Sequence, residues 1–322
     1  MSTDTVSTIT QTDSSTPLLG HIVFLSVRET TVDPRGLHTE LFRHNVTTVK
    51  APKGVAPADA FRSVCSKNLA TVQNNCTLLL RNVKSGAGLV RQVVIEEGGT
   101  DNSRLTHTDL GTIEYVPLDS SRAAEVDIDF NPNRAYLPLE SRESNPHEIA
   151  ARSLYTLVRS EYIALAGRVD SPRMRLMFKS ALVSECNAMP IKRSVWFVHE
   201  QNAPGLKRLR DLASTSLLSD MVSLDVIPIA DVTEMRNMVV RAWREAGSQP
   251  FVSLLEEAVT TQQRLKSGVA VRESTVSNMM ERYRAAVANA REHMALLQQD
   301  DAAIKNSAEL VRATLTSLHA QV

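Results

Sequence analysis

Three carboxylates near residue 127 have a spacing that could bind a metal ion. Glu125, Asp127 and Asp129 lie two residues apart, and an apolar residue follows each of them. In a strand this period of two places all three on one face, and His107 and Asp109 alternate in the same way on the preceding predicted strand. Carboxylate oxygens are ligands that Mg²⁺ and Mn²⁺ prefer, so a metal-dependent enzyme is one hypothesis. The pattern is also typical of a half-buried sheet with a solvated face, and we favour that interpretation.

A second group of residues that could bind a ligand consists of Lys and Arg. Residues 151–215 contain eleven Lys and Arg against five Asp and Glu, although the whole chain has 36 of each kind. Two predicted helices carry most of the cations that phosphates would contact, namely Arg173, Arg175, Lys179, Lys207, Arg208 and Arg210. Clustered cations neutralise nucleic-acid phosphates, so nucleic acid is an alternative partner. A solvated basic face is the competing interpretation, because no helix-turn-helix, zinc-finger or RNP signature accompanies the cluster.

No sequence motif names a reaction. The patterns G-x-S-x-G, G-x-G-x-x-G and G-x-x-x-x-G-K-[ST] do not occur. The three cysteines, Cys65, Cys76 and Cys186, are too sparse for a disulfide framework and predict small buried side chains in a reducing compartment. The adjacent Trp196 and Phe197 suit either core packing, which we favour, or a base-stacking platform. We therefore expect a cytoplasmic, non-catalytic protein with no cofactor unless the carboxylates bind Mg²⁺ or Mn²⁺.

The strongest pattern in the chain is a heptad repeat at the carboxyl end. Fourteen positions from residue 276 to residue 322 follow a 4,3,4,3 spacing, and thirteen are apolar when Ala and Tyr are counted, with Asp301 the exception. A stripe this narrow and long is typical of a coiled-coil seam about 70 Å long. The seam residues that we expect to drive oligomerisation are Val276, Met280, Tyr283, Val287, Met294, Leu297, Ile304, Val311, Leu315 and Leu318.

An exposed seam of this length must be covered by another surface. We expect another copy of the chain or a protein partner to cover it, and the alternative is a helical bundle within one chain. The leading functional hypothesis is therefore an interaction or assembly protein that oligomerises or binds a partner through this helix. We expect no membrane association, because no run approaches the ~18 apolar residues that span a bilayer.

The remaining patterns divide the chain into four segments. Residues 1–17 are rich in Ser and Thr and predict a disordered leader. Segment 18–138 predicts an antiparallel sheet with two short helices, because turn-forming clusters separate its apolar runs. Segment 139–267 predicts a mostly helical α/β unit, in which Asn145 and Pro146 begin a helix. Segment 268–322 is the coiled-coil arm, so the predicted fold class is α+β.

Three stretches resemble an uncharacterised family, a domain of unknown function from phages and prokaryotic genomes. They are KAPKGVAPADAFRSV at 50–64, SVWFVHEQNAPGLKRLRDL at 194–212 and VIPIAD at 226–231. No activity is established in that family, so the resemblance implies no catalytic residue. It does imply that the protein is encoded by a phage or a mobile element.

Overall fold

A computed structural model describes residues 17–68, 70–73, 76–83, 89–98, 105–116, 128–134, 145–192, 194–298 and 301–321. The predicted leader, 1–17, lies outside these residues except for Pro17. The strands are β1 Leu18–Val27, β2 Thr31–Val32, β3 Ala70–Gln73, β4 Cys76–Val83, β5 Leu89–Gly98, β6 Leu105–Tyr115, β7 Ile128–Pro132, β8 Val169–Asp170, β9 Met189–Lys192, β10 Val195–His199 and β11 Val222–Ala230. The helices are α1 Pro34–Arg43, α2 Pro57–Lys67, α3 Pro146–Leu165, α4 Ser171–Cys186, α5 Ala203–Ala213, α6 Thr233–Gly247, α7 Gln249–Lys266, α8 Glu273–Leu297 and α9 Ala302–His319.

These elements form two units, and the α+β class with antiparallel sheets is confirmed. One unit, here called the meander unit, comprises the described residues of Glu29–Thr39 and Ala51–Met174. The other, here called the split-sheet unit, comprises the described residues of Met1–Arg28, Glu40–Lys50 and Arg175–Val322. Both units are assembled from separate stretches of the chain.

The meander unit contains an antiparallel sheet in the strand order β3-β4-β5-β6-β7. Each strand pairs with the next strand along the chain, and all four pairs are antiparallel. Apolar side chains from one face of the sheet pack with α2 and α3 into one core, which includes Phe61, Leu78, Val93, Leu110 and Val158. Helix α3 begins as expected, because the Asn145 Oδ1 atom accepts a hydrogen bond of 3.0 Å from the backbone N–H of His147.

The split-sheet unit contains a sheet in the strand order β11-β1-β10-β9. Strand β1 is antiparallel to both β10 and β11, so these two run parallel to each other on either side of it. Helix α5 lies in the chain between them and provides the crossover that parallel strands require. By its position in the sequence, β1 belongs to the predicted segment 18–138. In the structure this strand pairs with strands more than 160 residues away. Its apolar pattern predicts a strand without specifying which strands it pairs with.

The continuous helix expected over 268–322 is not confirmed, because the segment contains two helices. Helix α8 ends before Gln298, whose φ of 51° lies in the left-handed region. Asp301 then caps α9, accepting hydrogen bonds from the backbone N–H groups of Ala303 at 3.0 Å and Ile304 at 3.2 Å. The sequence Gln-Gln-Asp-Asp at 298–301 offers no apolar side chain to a seam, and Asp is a preferred N-cap residue.

Helix α9 packs against both α7 and α8 in the same chain. Their shared core also contains residues from α6 and from the sheet, including Trp243 and Phe197. The apolar repeat is therefore buried to a large extent within one chain, which is the bundle alternative. Among the described helices, none combines the length and the apolar character needed to cross a bilayer.

Candidate functional site

Helix α4 carries three of the predicted phosphate contacts, and one of them is already paired. In the meander unit, the Asp170 Oδ2 atom accepts a hydrogen bond of 2.7 Å from Arg173 Nη1. The Asp170 Oδ1 atom also accepts a hydrogen bond from the backbone N–H of Arg173 at 3.1 Å. The guanidinium of Arg173 therefore stabilises the first turn of α4.

The other two cations of α4, Arg175 and Lys179, line a cavity of about 410 Å³ in the split-sheet unit. The cavity, here called the α4 cavity, is completed by residues at the end of β1 and before β10: Leu25, Ser26, Val27 and Ser194. Arg175 Nη2 donates a hydrogen bond of 3.1 Å to the carbonyl oxygen of Val27, which orients the guanidinium. The described lining contains two cations and two hydroxyls but no carboxylate. This composition favours an anion.

Helix α5 carries the other three predicted contacts, and Arg208 is paired with a buried carboxylate. Arg208 Nη2 donates a hydrogen bond of 2.7 Å to Glu185 Oε2, and the Glu185 side chain is only 4% exposed. The Glu185 Oε1 atom accepts hydrogen bonds from the backbone N–H groups of Thr47 and Thr48, both at 3.0 Å. Burial raises the pKa of Glu185, but these donors outweigh it and the pKa lies below its ordinary value.

Lys207 and Arg210, also on α5, line a second cavity of about 810 Å³. This cavity, here called the α5 cavity, also includes His21 of β1 and Glu200, which follows β10. The neighbouring His199 closes the short 3₁₀ turn Glu200–Asn202, because its Nδ1 atom accepts a hydrogen bond of 3.2 Å from the backbone N–H of Gln201.

A neutral His199 imidazole is required for Nδ1 to accept the hydrogen bond from Gln201. Burial and the nearby guanidinium of Arg236 lower the pKa of His199, whereas Asp231 and Glu200 act in the opposite direction. Its imidazole is therefore neutral at pH 7, with Nδ1 available as an acceptor. The turn that His199 caps contributes Glu200 and Gln201 to the lining of the α5 cavity.

The predicted metal site at Glu125, Asp127 and Asp129 stays a prediction, because the structure describes only one of its three carboxylates. Glu125 and Asp127 lie outside the described residues, and the Oδ1 atom of the exposed Asp129 accepts a hydrogen bond of 2.8 Å from the backbone N–H of Phe130. Asp109 accepts a hydrogen bond from Gly111 N–H at 3.0 Å. Within the described ranges, no group of three His, Cys, Asp or Glu side chains is arranged to hold a metal ion.

His107 instead contacts two charged side chains in the meander unit. Its Nδ1 atom lies 3.1 Å from Arg81 Nη2 and 3.6 Å from Glu96 Oε1. The three residues come from β6, β4 and β5, which are adjacent strands of the antiparallel sheet. Polar side chains that interact across strands are typical of a solvated sheet face, which is the interpretation that we favoured over a metal site.

The predicted seam residues lie on α8 and α9 and pack within the helical region of one chain, by which we mean helices α6 to α9. Six are buried, namely Val276, Leu297, Ile304, Val311, Leu315 and Leu318. Met280, Tyr283, Val287 and Met294 are partly buried against the same core. Three of these, Tyr283, Val287 and Met294, line a groove of about 340 Å³ together with Phe251 and Ile304.

Trp196 and Phe197 are buried, at 7% and 1% exposure, so this pair does not form a stacking platform. Cys65 and Cys186 are also buried. Burial raises the pKa of the Cys65 thiol to about 11 and that of the Cys186 thiol to about 12. Both thiols are protonated at neutral pH, which argues against nucleophilic roles.

The sequence does not indicate that four polar residues contribute to the two cavities. His21 and Ser26 lie on β1, whereas Ser194 and Glu200 flank β10, more than 160 residues later. Only the pairing of β1 with β10 brings them near α4 and α5. A single Ser, His or Glu in a strand or a turn gives no indication of such a neighbour.

Comparison with known proteins gives one match. A family model described as a family of unknown function, DUF6744, matches residues 18–322. The match includes all three stretches that carry the resemblance to an uncharacterised family. No curated protein and no solved structure matches the chain.

Proposed function

The chain belongs to this family of unknown function, DUF6744, and we propose that it binds nucleic acid through backbone phosphates. The contacts would be made at the α4 cavity, and no reaction would be catalysed there. The observation that carries the proposal is the lining of this cavity, with Arg175, Lys179, Ser26 and Ser194 and no described carboxylate. Proteins contact phosphate oxygens mostly through Arg, Lys and hydroxyl side chains.

The groups in this cavity are available to a ligand. Among the described residues, Lys179 has no ion pair, and the Ser26 and Ser194 hydroxyls have no hydrogen-bond partner. Arg175 uses one donor for Val27 and has four further N–H donors. A phosphate at this cavity would therefore receive charge-assisted hydrogen bonds without breaking an existing ion pair.

The proposal concerns phosphate contacts rather than base recognition. Trp196 and Phe197 are buried, so they contribute no stacking surface. Arg173 and Arg208 are held by Asp170 and Glu185, so the phosphate contacts would be fewer than the basic surplus of 151–215 suggests. We therefore expect salt-sensitive binding with little sequence preference.

The test is fluorescence anisotropy of the full-length chain with a labelled duplex of about 30 base pairs, between about 50 and 300 mM salt. We expect affinity to fall steeply with salt. The double substitution Arg175→Glu with Lys179→Glu should weaken binding strongly and reduce the slope of log K against log salt by about two.

The matched control reverses two exposed cations at the end of α7. Arg264→Glu with Lys266→Glu changes the net charge by the same amount at a site that does not line the α4 cavity. This control should retain most of the affinity. Equal losses in the two double variants, or no binding at the lowest salt, would contradict the proposal.

We propose, as a second candidate, that the helical region mediates self-association. The supporting observation is an apolar pair on α7, where Val252 and Val259 are each 40% exposed. They lie seven residues apart, so they share one face of the helix. Burying this face against a second copy would remove exposed apolar surface from water.

Sedimentation velocity at micromolar concentration tests this second proposal. Val252→Glu with Val259→Glu should convert an oligomer to a monomer. Ser253→Glu with Thr260→Glu introduces the same charges at exposed positions with the same spacing, and it should leave the oligomer intact. A monomeric wild-type chain would exclude self-association.

A further inference from the structure

The α5 cavity has a size and lining that differ from those of the α4 cavity. Its volume is about 810 Å³, within the ~300–1,000 Å³ typical of small-molecule sites. It lies in the split-sheet unit and is formed by β1, β11, the turn after β10 and α5. The proposed nucleic-acid contacts use none of its residues.

One side of the α5 cavity offers two unpaired cations. Lys207 and Arg210 are three residues apart on α5, so their side chains are neighbours on the helix surface. Both are exposed, and neither makes an ion pair within the described part of the chain. Two neighbouring cations of this kind suit a phosphate group.

A polar pair at the same cavity has unsatisfied atoms. His21 Nδ1 lies 3.5 Å from Glu200 Oε2, and the His21 side chain is 16% exposed. These two atoms are buried, and no other described residue hydrogen-bonds to either of them. The Glu200 side chain as a whole is 43% exposed, so its other carboxylate oxygen is accessible to a hydroxyl or amino group of a ligand. Asp211 adds a second carboxylate to the lining.

The remaining wall contains four apolar residues besides the polar Gln201 and Ser214. Ala203, Pro204 and Leu206 from the start of α5, and Val226 from β11, line the cavity. An apolar wall opposite a few polar groups is the usual arrangement around a ring-containing ligand. The cavity therefore offers cations, carboxylates and an apolar surface within one volume.

We propose that the α5 cavity binds a nucleotide. The phosphate would contact Lys207 and Arg210, and sugar hydroxyls or base amino groups would hydrogen-bond to Glu200, Asp211 and His21. The base would lie against Pro204 and Val226. A nucleotide combines an anion, hydrogen-bond donors and a flat ring, and each of these matches one part of the lining.

Isothermal titration calorimetry of the full-length chain tests this assignment, with AMP, adenosine and inorganic phosphate as probes. We expect saturable binding of AMP, and much weaker binding of adenosine and phosphate because each lacks one part of the match. Lys207→Ala with Arg210→Ala should weaken AMP binding at least about tenfold, because hydrogen bonds to charged groups are lost. Arg264→Glu with Lys266→Glu, at exposed positions of α7 that do not line the α5 cavity, should leave AMP affinity unchanged.

The opposite results would overturn the assignment. They are no AMP binding at millimolar concentration, undiminished binding in the Lys207→Ala, Arg210→Ala variant, and phosphate or adenosine binding as tight as AMP binding. The test also separates the two proposals. Duplex binding without AMP binding would reject only the nucleotide site, and AMP binding without duplex binding would reject only the nucleic-acid function.

Discussion

Glu185 connects three stretches of the split-sheet unit through one buried carboxylate. It lies in the last turn of α4, accepts hydrogen bonds from the backbone N–H groups of Thr47 and Thr48, and pairs with Arg208 of α5. A further hydrogen bond of 2.8 Å comes from the Thr48 hydroxyl. Arg208, which the sequence groups with phosphate-binding cations, is therefore a structural residue because of a partner 23 positions earlier.

We predict that Glu185→Ala lowers the free energy of unfolding by about 3 kcal/mol, because it leaves Arg208 and two backbone N–H groups without their acceptor. Urea denaturation at pH 7 measures this change. Glu245→Ala, at an exposed position on α6, is the matched control and should change stability by less than about 0.5 kcal/mol. Equal effects of the two substitutions would contradict the role of Glu185.

Glu185 also predicts a pH dependence. Because its pKa is lower in the folded chain than in the unfolded chain, the ionised carboxylate stabilises the fold above the ordinary glutamate pKa. That contribution is lost as the pH falls through the lowered value. We therefore expect the stability difference between the wild type and Glu185→Ala to shrink in acid, as measured by urea denaturation at several pH values. A difference independent of pH would argue against an ionised Glu185.

At the scale of elements, α4 and α5 pack closely where α5 has a glycine. A Cβ atom on Gly205 would overlap the carbonyl oxygen of Glu185 and lie 3.3 Å from Cys186 Sγ. Backbone cannot move aside as a side chain can, so the two helices require glycine at this position.

We predict that Gly205→Ala destabilises the chain by about 2 kcal/mol through overpacking, despite the higher helix propensity of alanine. Gly247→Ala is the control, because the nearest atoms there belong to side chains, Ile304 Cδ1 at 3.0 Å and Trp243 Nε1 at 3.3 Å. Thermal unfolding followed by circular dichroism should show the larger loss for Gly205→Ala. The reverse order would show that α4 and α5 can separate at low cost.

The start of α9 depends on Asp301, which also pairs with Arg244 Nε at 3.0 Å. We predict that Asp301→Ala costs about 1 kcal/mol, because two backbone N–H groups lose their acceptor. Asp301→Asn keeps a capping oxygen and should recover most of that loss. Chemical denaturation compares the two variants, and an equally large loss in Asp301→Asn would assign the effect to the ion pair with Arg244.

At the scale of the whole molecule, the carboxyl-terminal helices belong to the core of the split-sheet unit. Val276, Leu297, Ile304 and Leu318 share one buried cluster with Trp243. An extended arm would be removable without harm to the remaining chain, whereas these helices cover buried side chains of α6 and α7.

We predict that deleting residues 270–322 exposes Trp243 and Phe251 and yields an unstable, aggregation-prone protein. Tryptophan emission should shift to longer wavelength, and binding of a hydrophobic dye should rise. Leu310→Ala, at a position of α9 that is 54% exposed, is the control and should leave both signals unchanged. A soluble truncated chain with native tryptophan emission would restore the extended-arm interpretation.

Local patterns in the sequence predict most elements but only part of the candidate sites. The helix that Asn145 and Pro146 predict is observed as α3, which Asn145 caps. Of six predicted phosphate contacts, Arg175, Lys179, Lys207 and Arg210 line cavities, while Arg173 and Arg208 are paired. The sequence shows which residues are charged. Whether such a residue can contact a ligand depends on whether the fold places a carboxylate beside it.

The sequence by itself determined the α+β class, the family membership and the apolar repeat of the last helices. The class and the repeat follow from periodicity and capping, which act over a few residues, whereas the family membership rests on the match of residues 18–322 to the family model. Tertiary structure alone decided that β1 lies between β10 and β11, and that α9 packs on α7 and α8 in its own chain. A heptad pattern records which face of a helix must be buried, but the covering surface is chosen by contacts between distant residues.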